Sequence, residues 1–168
     1  MAQAIAYLND VKPYKTSWRV QVRVLHSWKT YTTAFGDTFD MVFADVHGTK
    51  IHASVKKDCM NRFEKYMVPG EWKDIQHFGL VYAVGQFRPT SHRYKMNFLA
   101  QTIVTRIDPL SDDHYLSLTT FKDVKTTGLN ANILIDIVGQ VVNVGEMETI
   151  DVNSKPTKKI SFQLRDEL

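Results

Sequence analysis

The stretch WRVQVRVLHSW, residues 18–28, begins with strict alternation: Val20, Val22 and Val24 fall on one face, Arg19, Gln21 and Arg23 on the other. That pattern predicts a strand with one buried and one wet face. Working outward, KTYTTAFGD, residues 29–37, has the Thr, Gly and Asp content of a loop and leaves Lys29 and Tyr31 free to point outward. TFDMVFADV, residues 38–46, sets Phe39, Met41 and Phe43 against Asp40, Val42 and Ala44, and His47 and Gly48 make a turn. A third strand, KIHASVK, buries Ile51, Ala53 and Val55 and turns His52, Ser54 and Lys56 outward together.

Asp58 then stands where a helix N-cap belongs, ahead of Met60, Phe63 and Met67 at helical spacing. Val68, Pro69 and Gly70 end that helix. Residues 71–83 read as a fourth strand with Trp72, Ile75, Phe78 and Val81 for burial, its register unsettled around Phe78 and Gly79. After the loop QFRPTSHR, residues 94–107 read as a long fifth strand. Three strands, a helix and two strands is the order of an oligonucleotide-binding (OB), five-stranded Greek-key barrel, an all-β fold with one short helix. Small mixed α+β folds give the same string.

Past Pro109 the chain turns polar, with a helix expected near residues 120–126. ILIDIVGQVVNVG, residues 133–145, reads as a strand bent at Gly139. Residues 151–156 read as a loop and residues 158–166 as a last strand. The expected organisation is an OB barrel over residues 14–110, a linker over 111–130 and an incomplete second OB-like β segment over 131–168. Two strands cannot close a barrel and leave unpaired edges. They could pair with each other and pack on the first barrel, pair with a second copy of the chain, or continue in a longer protein. Of these, a homodimer through residues 131–168 is the expectation.

With 168 residues, 43% hydrophobic and 23% charged, the composition is that of a globular protein. The formal charge of +3 is uneven: residues 1–110 carry 15 Lys and Arg against 9 Asp and Glu, residues 111–168 only 6 against 9. Nucleic-acid affinity would therefore come from a local groove rather than from a general field. The single cysteine, Cys59, excludes an internal disulfide and every multi-Cys zinc pattern, and fits a reducing compartment. No apolar run of about 18 residues occurs, so membrane insertion is not expected. The final RDEL looks like a lumenal retrieval tag and is read as coincidence, because such a tag acts only inside the lumen. No HExxH, GxxxxGK[ST] or GxSxG motif is present, and neither catalysis nor a cofactor nor a metal is expected.

The blocks WRVQVRVLHSWK, MVFADVHGTKIHASVKK and NRFEKYMVPGEW, leading into QFRPTSHRYKMNF, resemble the large subunit of replication protein A, in particular its plant members and paralogues. ILIDIVGQVVNVGEMETIDVNSKPTKKISFQLRD resembles the opening half of the next barrel in that family. The resemblance implies tandem OB barrels, no catalysis, a nuclear location, and roles in DNA replication, repair and recombination. Its implied partners are single-stranded DNA and other replication protein A subunits, with RNA as an alternative ligand because an aromatic platform accepts either. The chain would then resemble a shortened large subunit. The rival reading is a protein-interaction module with little nucleic-acid affinity.

In the family two aromatics stack on bases. One, in the loop between the fourth and fifth strands, is present as Phe87; the other, closing the third strand, is replaced by Lys56. His52 stands at a third-strand position that is basic in the family, and Lys95 where an acidic contact residue is typical. From the residues themselves, Arg88, Arg93 and Lys95 would hold phosphates, and His52 and Lys56 would project with Arg23 by strand alternation. Lys29 and Tyr31 sit in the loop where such barrels clamp a ligand. Trp18, Phe39, Phe43, Phe63 and Phe98 are expected in the core, and Trp28 and Tyr94 fit either role.

Overall fold

The computed structural model describes residues 3–31, 36–152 and 154–166. Residues 32–35 of the loop after the first strand and the last two residues of RDEL lie outside them. Among the described residues no helix is long and apolar enough to cross a membrane. By its contacts the chain divides into two units, the first reaching to Tyr115 and including Ala131–Leu134.

In the first unit β1 (Arg19–Thr30), β2 (Thr38–Ala44), β3 (Lys50–Lys56), β4 (Trp72–Tyr82) and β5 (Tyr94–Ile107) close a barrel in the order β1-β2-β3-β5-β4. All neighbours are antiparallel except β3 and β5, where Ala53 pairs with Met96 and Ser54 with Asn97. This is the OB barrel that the element order pointed to. Val20, Val22 and Val24 are fully buried, as their alternation requires, against Met41, Phe43, Ile51, Ala53, Val55, Ile75, Phe78 and Met96. Such a side chain, fully buried, contributes about 1.5–3 kcal/mol relative to leaving it in water.

Between β3 and β4, α1 (Lys57–Phe63) and a 3-10 turn, Glu64–Tyr66, bring Met60, Phe63 and Met67 into the core. Phe63 meets Phe98 edge to face, with ring centroids 5.0 Å apart. The N-cap is Lys56, without a side-chain cap bond, and not Asp58, which lies in the first turn where its charge suits the helix dipole. The core reaches back beyond residue 14: Leu8 and Val11 are fully buried in it, and the Leu8 N–H donates to the buried Asp45 carboxylate at 2.8 Å.

Bulges correct the simple alternation in two strands. In β4 the register shifts between Gln76 and Phe78, where His77 has φ 59°, so alternation past the bulge carries Leu80 inward and leaves Val81 exposed. In β1 the shift falls between Val24 and His26. β2 is buried on both faces after Thr38, Asp40 included, so its polar face is not the wet one that alternation suggested.

In the second unit α2 (Phe121–Thr126) is capped by Thr120, whose Oγ1 accepts the Asp123 N–H at 3.0 Å. β6 (Gln140–Val152) and β7 (Lys155–Arg165) pair with each other as an antiparallel ribbon. The first strand therefore starts after Gly139 rather than at residue 133, and Asp136 instead forms an isolated bridge with Leu118. The strand continues to Val152 through residues read as loop, and Ser154 turns the chain with φ 62°.

Candidate nucleic-acid interface

The β1 bulge decides which way Trp28 faces. Val24 pairs with Phe43, an inward residue, but His26 pairs with Val42 and Trp28 with Asp40, both on the outer side of β2. Leu25 is the extra residue, and past it the even-numbered positions of β1 change from core to outer face. Trp28 is accordingly 36% exposed, and its ring lies over His52 of β3 with centroids 5.9 Å apart and planes 15° from parallel.

Beneath this pair sits Asp40, only 4% exposed. Its Oδ1 accepts His52 Nε2 at 2.8 Å and faces Lys95 Nζ at 3.5 Å, while Oδ2 accepts the hydroxyls of Thr30 at 2.8 Å and Thr38 at 2.6 Å. Burial alone would raise its pKa; the bonds from His52, Thr38 and Thr30 and the Lys95 charge outweigh it and hold the carboxyl well below the ordinary carboxylate range. One buried charge thus joins side chains of β1, β3 and β5 to β2.

The outer β2–β3 face lies between two loops. The β1–β2 loop leaves beside Lys56, which pairs with Thr38, and the β4–β5 loop enters at Tyr94, beside Lys95 and His52. His52 and Lys95 meet at Asp40 on this face, Lys56 closes β3 at its β1–β2 end, and the β4–β5 loop that carries Phe87, Arg88 and Arg93 joins β5 toward the other end of β3. Lys56 is exposed and has no charge partner among the described residues. Phe87 is 75% exposed and does not close the core. Next to it the Arg88 backbone is pinned on both sides, its N–H donating to the Asn132 carbonyl at 2.7 Å and its carbonyl accepting the Leu134 N–H at 3.0 Å. Arg93 lies over Tyr82 and Tyr94, 5.4 and 5.9 Å from the ring centroids.

Two cations stand apart from this group. Arg23 is on the outer side of β1 but donates to the Asp113 carbonyl, beside the packed Trp72 and Tyr115. Lys29 pairs across with Phe39, the inward side, and reaches Glu64 at 2.8 Å; that hydrogen bond and the Glu64 charge hold its ammonium above the ordinary lysine range. Tyr31, 69% exposed, stands at the start of the β1–β2 loop. Trp28, which the sequence left open between core and ligand, lies on the face; Asp40 and Tyr82, which the sequence did not single out, belong to the face or its rim. Flat rings beside cations on a strand surface can stack bases and neutralise phosphates.

Residues 9–127 match the family model described as "Domain of unknown function DUF223". The chain is 26% identical over 158 residues to a 70 kDa DNA-binding subunit of replication protein A from Arabidopsis thaliana, covering 89% of this chain and 26% of that protein. For the counterpart from Oryza sativa subsp. japonica the identity is 24% over 163 residues, with 92% and 25% covered. The chain thus spans about a quarter of the length of the curated relatives it matches. Among solved structures, a replication protein A heterotrimer bound to single-stranded DNA superposes with TM-score 0.64 at 18% identity, covering 96% of this chain and 39% of that one. The solution structure of a DNA-binding domain of S. cerevisiae replication protein A gives 0.50 at 24% identity, covering 64% and 97%. These structures share the fold, and the resemblance to the replication protein A large subunit stands.

Proposed function

Because the chain belongs to the DUF223 family and resembles the replication protein A large subunit in sequence and fold, we propose that it is a non-catalytic single-stranded-DNA-binding protein. The observation that carries this reading is Phe87, held out to solvent in the β4–β5 loop beside the pinned Arg88 backbone instead of closing the barrel. Phe87 stacks on a base, and Lys56, Arg88 and Arg93 take phosphates. His52 and Lys95 line the same groove, with part of the Lys95 charge offset by Asp40. Tyr31 borders the strand's path from the β1–β2 loop. The nuclear location and the roles in replication, repair and recombination belong to the same proposal and rest on the likeness to replication protein A. Anisotropy of a labelled single strand, competed with unlabelled duplex of the same length, tests it: the single strand binds and the duplex competes weakly.

One observation favours a second reading, that the chain also joins partners. On one face of the β6–β7 ribbon Val144 pairs with Phe162 and Met147 with Ile160, and all four are exposed. An isolated two-stranded ribbon is marginal in water, and a second copy of the chain or another subunit of a replication protein A-like complex would cover it.

A further inference from the structure

We infer that Trp28, seated on His52, is a second base-stacking platform of the groove, taking a nucleobase of the bound single strand. This rests on the reading proposed above and names a residue for it. Three features carry the assignment. The β1 bulge spends one residue to turn Trp28 out of the core and onto the outer face. The ring is then held flat: it lies 15° from the plane of His52, whose imidazole is fixed in turn by the buried Asp40 at 2.8 Å. A ring already ordered loses little conformational freedom when a base settles on it. Finally, the ring stands beside an exposed cation: Trp28 lies opposite Asp40, and in the next row Thr30 lies opposite Thr38, which pairs with Lys56.

The same geometry grades the charge across the face. Asp40 offsets the Lys95 charge at the centre of the face, while Lys56 at the end of β3 has no charge partner among the described residues.

Tryptophan emission tests this directly, because of the three tryptophans Trp18 and Trp72 are buried and Trp28 alone is exposed. Titration of the full chain with unlabelled oligo-dT should quench its emission in step with the anisotropy of a labelled strand. Trp28→Ala should weaken binding by about five- to 150-fold, and Trp28→Phe should keep most of the affinity but lose the quenching. Flat emission alongside Phe87-dependent anisotropy overturns this inference and leaves the proposed function standing. So does a Trp28→Ala variant that folds and binds as tightly as the native chain. If no strand binds by anisotropy, both readings fall.

Discussion

His52 Nε2 lies 2.8 Å from Oδ1 of Asp40, a carboxylate buried on the face of β2 that alternation turns toward solvent. This contact fixes the ring under Trp28 and, with Lys95 3.5 Å from the same oxygen, offsets part of the positive charge of the groove. A buried charge of this kind is supported only while its partners remain, since an uncompensated one is costly.

Asp40→Ala should therefore destabilise the fold by about 2–3 kcal/mol, less than for a fully enclosed pair because His52 and Lys95 are partly exposed. Urea unfolding at neutral pH measures it. Thr30→Ala, which removes one neutral donor, should cost about 1 kcal/mol.

Asp40 also sets an acid limb. Its folded pKa lies below the unfolded value, so between the two the unfolded chain binds more protons and stability rises with pH. The contribution is complete above the ordinary carboxylate range and is lost as pH falls through and below it. Thermal midpoints from pH 2 to 6 should fall more steeply in the native chain than in Asp40→Asn.

Lys56→Phe restores a ring at the exposed end of β3. Added stacking should tighten oligo-dT binding by about 1–3 kcal/mol, while the loss of one phosphate contact should flatten the salt slope by about 0.7. Lys56→Glu should weaken binding at every salt concentration.

If a second copy covers the β6–β7 ribbon, sedimentation at micromolar concentration should give twice the chain mass, and Phe162→Asp, at a position 55% exposed, should return it to one. A native mass of one chain throughout that range contradicts the homodimer.

The barrel was legible where burial is one-sided. Val20, Val22 and Val24, Ile51, Ala53 and Val55, and Met96 and Phe98 at the start of β5 follow from alternation. Trp28 stayed open between core and ligand in the sequence, because parity carried forward from Val24 would place it inside and only the pairing of His26 with Val42 reveals the bulge. Asp40 escaped for a related reason: its enclosure depends on Lys95, far along the chain, and no local pattern records that partner. The exposure of Phe87 fits a loop aromatic beside arginines that has no local packing duty. Arg23 and Lys29 looked equivalent to the other cations until Asp113 and Glu64 were brought to them by the fold. The strand after Gly139 was misplaced because the apolar run at residues 133–138 has strand composition but leaves its backbone to isolated bridges.

The central claim is an aromatic, cationic groove that accepts a single strand, and one titration tests it most directly: labelled oligo-dT of about 20–30 nucleotides, at two salt concentrations, against the native chain and Phe87→Ala. The groove predicts binding that weakens with salt, at a slope of about −0.7 per phosphate contact, and a loss of about 1–3 kcal/mol on removing the ring, with stability unchanged within about 0.5 kcal/mol because Phe87 is exposed. No binding at tens of micromolar, or affinity indifferent to Phe87, would contradict it.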